Sequence, residues 1–232
     1  VSVAEFEQNV QSLSNSALLA MVGGFLDGFT YVGHGHVFAN AMTGNVVLLG
    51  VYGISHSWDQ SFRHLPPIVA FLVGICVARA ILLPRLRAFF RYPYMSVVAV
   101  ELLIFGVICL LPNSTRDFWI TTSIALAASM QIETFRVVNG RNYNSTFTTG
   151  NLRSFSEGVF DWIFRHNLDN ARAQAYDFGV ICLCFLAGAT AGGYSVSRLG
   201  NSALWIDFGL LFFVLIRLRP VNASNKRANP SL

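Results

Sequence analysis

A Thr-Gly-Asn triplet occurs twice in this chain, as Thr43-Gly44-Asn45 and Thr149-Gly150-Asn151, the copies lying 106 residues apart. Each copy stands among long apolar runs, where unpaired polar groups are costly to place. The same offset carries Asp27 onto Glu133 and Glu101 onto Asp207. The whole chain holds only 12 acidic residues, so these coincidences mark an internal duplication rather than chance. At a slightly larger offset Phe71-Leu72-Val73-Gly74 aligns with Phe185-Leu186-Ala187-Gly188, a longer loop before the second copy taking up the difference. The two repeats cover 16–112 and 113–218, between a polar N-terminal segment at 1–15 and a polar tail at 219–232 that is expected to be disordered.

The solvent for such repeats follows from composition. With 53% hydrophobic and 12% charged residues the chain has about half the charge usual in soluble domains, and it reads as lipid-facing. The net charge of +4 comes almost entirely from arginines in short loops, which is a topology signal rather than a nucleic-acid stripe. Cys76, Cys109, Cys182 and Cys184 all lie within apolar runs and read as small hydrophobes. No basic region precedes the first apolar run, so that run is expected to be kept as a membrane helix.

Six runs are long enough to span a bilayer: 17–33, 66–83, 95–111, 118–135, 178–196 and 203–218. The segments following the triplets, 46–54 and 152–164, are ambiguous. If both crossed, making eight spans, basic residues would divide eight to seven between the two sides, with no preference. If both dip in and return, twelve collect on one face, Arg87, Arg91, Lys226 and Arg227 among them, against Arg63, Arg116 and Arg198 on the other. Cytoplasmic loops collect Lys and Arg, so six spans with both termini cytoplasmic are favoured.

The expected fold is therefore an all-α polytopic membrane protein. It has two repeats of about three spans in opposite orientation, as in many transporters, plus two Thr-Gly-Asn dipping segments. Irregular backbone at membrane depth must be buried in protein or line a wet cavity, so the triplets should meet near the midplane. Gly permits a tight turn, Thr and Asn suit a helix N-cap, and a half-helix beginning after each triplet would aim free N–H groups at the centre.

The candidate binding residues are Asp27, Asn40, Thr43, Gly44, Asn45, Gln131, Glu133, Thr149, Gly150 and Asn151. Asp27 and Glu133 are candidate proton or cation carriers, since intramembrane acids are functional by default. Glu101 and Asp207 form a second, symmetric acidic pair whose competing role is helix pairing. His34-x-His36 supplies too few donors for a metal by itself and reads as an interfacial loop. Gly74-x-x-x-Ala78 and Gly188-x-x-x-Gly192 are helix-packing contacts. Arg153, Glu157 and Asp161 share one helical face, to line a vestibule or to pair at i, i+4. No catalytic motif is present, so no enzyme, metal or cofactor is expected.

Gly24-Phe25-Leu26-Asp27-Gly28, the stretch Val37-Phe38-Ala39-Asn40-Ala41-Met42-Thr43-Gly44-Asn45, and Thr148-Thr149-Gly150 resemble the DUF1275, or YoaK-like, family over about residues 16–218. The resemblance implies an integral membrane protein, mainly of bacteria, and implies no substrate. Two positions depart from the family pattern: an acid at Glu133 where an Asn-like residue is usual, and Thr-Gly-Asn in the second triplet where Thr-Gly-Thr is common. The reading that follows is a small-solute or ion transporter or channel of the bacterial inner membrane, its site between the triplets. The alternative is a membrane scaffold or accessory subunit whose triplets only close the fold. Lipid is the expected partner, nucleic acid is not, and a homo-oligomer is compatible with either reading.

Overall fold

The computed structural model describes residues 3–219, apart from 84, 86–89, 91, 147 and 166–167. Arg87, Arg91, Lys226, Arg227 and nearly all of the polar tail lie outside the described residues. The helices are α1 (Val3–Val10), α2 (Leu13–Gly33), α3 (Met42–Ile54), α4 (Trp58–Arg63), α5 (Leu65–Ile81), α6 (Pro93–Leu110), α7 (Asp117–Thr134), α8 (Thr148–Phe164), α9 (Leu168–Leu199) and α10 (Leu204–Arg217). Two-residue strands β1 (Val137–Val138) and β2 (Arg141–Asn142) form a small hairpin between α7 and α8.

Local chemistry explains several boundaries. Ser12 caps α2, its hydroxyl accepting from Asn15 N–H at 3.4 Å, so this helix begins earlier than its apolar run. Pro stands in the first turn of both α5 and α6, where a missing N–H costs nothing. The hairpin turns at Asn139-Gly140, both at positive φ, as a two-residue turn between twisted strands requires. The connection between α7 and α8 is thus a hydrogen-bonded hairpin.

Long helices take their main partners from the other half of the chain: α2 packs on α9, α5 on α7, and α6 on α10. The α2–α9 pair runs parallel and closely. A Cβ on Gly24 or Gly28 would overlap the carbonyl oxygen of Phe185 or Ala189, and one on Gly188 or Gly192 that of Met21 or Phe25. Gly74 of α5 meets α7 in the same way at Leu126 and Ser129. With the helices interleaved like this, neither half could bury its own faces alone. Phe25, Phe29, Phe105, Ile120, Ile124 and Leu211 build the largest buried cluster.

Among the described residues, four stretches are long and apolar enough to cross a membrane: Leu13–Gly33, Trp58–Leu82, Pro93–Leu110 and Asp169–Arg217, the last covering nearly all of α9 and α10. Helix α7 is not among them, although its sequence was expected to span. It carries Thr121, Ser129 and Gln131 at buried positions, so it meets protein rather than lipid and needs less apolarity. Helix α3 has 13 residues and so reaches only about 20 Å. Helix α9, at 32 residues, is about 48 Å long and extends well past a bilayer core.

Contacts define the two ends of the bundle. At one, Asn9 and Asn15 bond Arg217, the Asn139 N–H donates to Gln11 C=O at 2.9 Å, and Arg141 pairs with buried Asp177 at 2.9 Å. At the other, Asn113 Oδ1 accepts from Asn201 N–H at 2.9 Å, and His34 Nδ1 lies 3.0 Å from Asp117 Oδ1. Arg63 and Arg116 line a surface cleft at this second end with His34 and Asp117.

Burial lowers the pKa of His34 below its ordinary 6.5, and the neighbouring Asp117 carboxylate opposes that shift only in part. A His with a depressed folded pKa adds full stability above its unfolded value. The contribution is lost as pH falls from about 6.5 towards the folded pKa. Thermal midpoints measured from pH 7.5 to 5 should fall less steeply in His34→Gln than in the wild type. Equal slopes would remove His34 as the titrating group.

Candidate functional site

After α2 the chain does not leave the bundle. Residues 37–41 turn back along α2, and side chains satisfy four successive backbone N–H groups: Phe38 by Asn45 Oδ1 (3.0 Å), Ala39 by Thr30 Oγ1 (3.1 Å), Asn40 by Asp27 Oδ1 (2.8 Å) and Ala41 by the same oxygen (3.4 Å). Backbone at this depth has no water to turn to, so these partners make the loop tenable. Asn40 Nδ2 then donates to the carbonyl of Gly23, the middle residue of α2, at 2.9 Å.

The second loop arrives at the same level from the opposite end. It follows the hairpin, and a Cβ on Gly23 would overlap Ser145 C=O and the Thr146 side chain. Gln131 Nε2 reaches Ser145 Oγ at 3.2 Å and Leu19 C=O at 3.3 Å. Asn40 and Thr146, which both approach Gly23, are 106 residues apart, the same offset as the two triplets.

Each triplet Asn closes its own loop in the same manner. Phe38 N–H donates to Asn45 Oδ1 at 3.0 Å, and Asn45 Nδ2 donates back to Phe38 C=O at 2.7 Å. In the second copy Asn144 N–H donates to Asn151 Oδ1 at 3.1 Å, and Asn151 Nδ2 to Asn144 C=O at 2.6 Å. Here an amide side chain imitates a strand neighbour to the residue seven positions before it. The triplets do not precede their helices as expected. They form the first turns of α3 and α8, and the α3 N-cap, Ala41, has no side-chain hydrogen bond.

Between the loops lies a cavity of about 610 Å³. Thr43 and Thr149 line it from the two triplets, with Thr146 and Thr148 beside them. Asp27 is its one charged side chain, and Tyr31, Phe38 and Phe185 supply aromatic wall. Tyr31 and Phe38 stack with ring centroids 4.6 Å apart. Gly28 and Ala189 line the part where α2 and α9 touch.

The sequence-derived candidates separate into two groups. Asp27, Thr43 and Thr149 border the cavity. Asn40, Asn45, Gln131 and Asn151 are buried and hold loop backbone or neighbouring side chains instead. Gly44 packs under the Phe38 ring, while nothing approaches Gly150. Glu133 is drawn away by Arg79 (3.5 Å) and Arg136 (3.7 Å), so the Asp27 and Glu133 positions play different parts. Glu101 and Asp207 are buried close enough to interact electrostatically, away from the cavity, and their four oxygens find no hydrogen-bond partner among the described residues. The Arg153 face pairs along its own helix, with Glu157 at 2.9 Å, while Asp161 pairs with Arg165 at 3.3 Å.

Tyr31, Phe38, Thr146, Thr148 and Phe185 were not among the candidate binding residues read from sequence. Tyr31 lies one helical turn beyond Asp27 and was legible as the same face. Phe185 needed the pairing of α2 with α9, which no periodicity supplies.

Fold and cavity together define a polytopic α-helical membrane protein with two polar loops meeting inside the bundle. A family model described as protein of unknown function (DUF1275) matches residues 16–217, and the chain belongs to that family. It is also similar to the UPF0700 transmembrane protein YoaK of Bacillus subtilis (strain 168), at 28% identity over 152 residues, 64% of this chain and 67% of the relative. No solved structure matches.

Proposed function

We propose that the protein is a small-solute or ion transporter or channel of the bacterial inner membrane, with its site in the cavity between the two Thr-Gly-Asn segments. The observation that carries this is a single cavity bordered by Thr43 and Thr149, on loops that reach it from opposite ends of the bundle. Two inverted repeats would generate that arrangement, and the paired Asn clamps at equivalent positions support such an origin. Transport sites at repeat interfaces near the midplane follow the same plan. The end bearing Arg79, Arg136, Arg141 and Arg217 is read as cytoplasmic, and both termini with it. A scaffold role has one observation in its favour: Asn40, Asn45, Gln131 and Asn151 are engaged in closing the fold.

Cysteine accessibility separates the readings. With Cys76, Cys109, Cys182 and Cys184 replaced, Thr43→Cys and Thr149→Cys should both react with 2-aminoethyl methanethiosulfonate in membrane vesicles. If both stay unreactive while the exposed controls Ser114→Cys and Asn142→Cys label, the scaffold reading wins. In intact cells an impermeant reagent should reach Ser114→Cys but not Asn142→Cys; the reverse pattern would invert the proposed orientation.

A further inference from the structure

We infer that the cavity takes a small organic cation, an ammonium compound rather than an anion or a bare metal ion; this rests on the transport reading above. Size is the first ground. At about 610 Å³ the space lies in the range of small-molecule sites. A metal ion of this kind would need several oxygens converging at bonding distance, and the described residues contain no group of three His, Cys, Asp or Glu side chains able to hold one.

Charge is the second ground. Asp27 is 5% exposed and faces the cavity, and no Lys, Arg or His lines that space. None of the ion pairs among the described residues includes Asp27. Its counterpart Glu133 has two arginines; among the described residues Asp27 has only backbone donors. Those donors matter for sign. The Asn40 and Ala41 N–H groups, which an anion could otherwise use at the start of α3, already point at Asp27 Oδ1. The carboxylate is thereby oriented, and its charge is left for a ligand to answer.

The wall chemistry is the third ground. Stacked Tyr31 and Phe38, with Phe185, present ring faces or edges to the same space, and aromatic faces attract ammonium groups when water is excluded. The hydroxyls of Thr43, Thr146, Thr148 and Thr149 add acceptors that suit N–H or O–H groups on such a molecule without adding charge. Thr148 Oγ1 is buried and has no hydrogen-bond partner among the described residues.

Three molecules of nearly one shape test the assignment: choline, its neutral analogue 3,3-dimethylbutan-1-ol, and 3,3-dimethylbutanoate. Binding is measured by calorimetry and thermal shift on the full chain in nanodiscs. Choline should bind at least about tenfold tighter than either analogue, and Asp27→Asn should erase that preference. Because Asp27 also holds the loop, Phe185→Leu provides a second variant; it should weaken choline about threefold while lowering the thermal midpoint less than Asp27→Asn does.

Equal affinity for choline and the alcohol, preference for the carboxylate, or no binding of any probe overturns the cation assignment. Thr149→Phe, which projects a ring into the cavity, separates that failure from failure of the transport reading. Binding that survives Thr149→Phe would move the ligand out of the cavity and overturn both. Cysteine labelling at Thr43 and Thr149 without choline binding would leave the transport reading standing and remove the cation alone.

Discussion

Gly188→Leu should give no folded protein. The α2–α9 contact is backbone against backbone, and a Cβ on Gly188 alone already overlaps the Met21 carbonyl and its neighbouring atoms. A flexible side chain could move aside; a helical carbonyl can move only if the whole helix shifts. Separating the helices would also open the second contact at Gly192 and those from α2 at Gly24 and Gly28. Overpacking in a rigid core costs about 1–3 kcal/mol, and a clash with backbone exceeds that range. Loss of the Gly188 contact should therefore exceed about 4 kcal/mol, the range reserved for core disruption. Fluorescence-detected size exclusion of a tagged variant reads the result: an aggregated or absent peak is expected for Gly188→Leu. Gly209→Leu serves as the control, because nothing lies within 4 Å of a Cβ there. Normal monodisperse behaviour of Gly188→Leu would show that the helices are not held at this distance. Gly188→Ala places that same Cβ against the Met21 carbonyl, so it too should lower the thermal midpoint sharply, though less than Leu with its further carbons.

How far the sequence could be read depends on what each residue has to satisfy. The spans were legible because lipid imposes long apolar runs, and α2, α5, α6 and α10 follow them closely, whereas α9 begins at Leu168, well before its run at 178–196. Helix α7 was legible as a helix but not as an interior one, because burial against protein leaves only a mild polarity signal. The equivalence of the triplets was plain from their offset; the use of their Asn side chains was not. Polar residues at membrane depth serve a ligand or serve the backbone, and sequence spacing is the same in both cases. Asn45 and Thr43 stand two residues apart, yet one clamps Phe38 and the other borders the cavity. Asp27 and Glu133 show the limit of reasoning by symmetry. Positions related by the 106-residue offset need not share partners, and Arg79 and Arg136 flank Glu133 while Asp27 borders the cavity. The Asn139-Gly140 turn was there to be read, between Val137-Val138 and Arg141-Asn142. A two-residue turn signal between short β-prone runs marks a hairpin even inside a helical membrane protein.

Asn45→Ala and Asn151→Ala should each destabilise the protein before they alter any binding. Removing either amide strands one backbone N–H and one C=O in a buried loop. An unsatisfied buried group costs about 1–3 kcal/mol, so each variant should lose about 2–5 kcal/mol. His64 Nδ1 also lies 3.2 Å from Asn45 Oδ1, so Asn45→Ala removes that contact as well. Substitution by Asp separates shape from hydrogen bonding. Asp keeps an acceptor for the N–H of Phe38 or Asn144 but sets an oxygen against the carbonyl that Nδ2 served, so it should rescue little. The two clamps sit on different loops, and their effects should add in the double variant unless the loops couple through their common contact at Gly23. Thermal midpoints in detergent measure the stability loss. The labelling rate of Thr43→Cys in the Asn45→Ala background reports the loop itself, and it should rise as the released first turn of α3 opens. A variant with wild-type midpoint and labelling rate but altered choline affinity would reverse the assignment, making Asn45 a ligand contact instead of the latch that holds the Thr43 hydroxyl at the cavity.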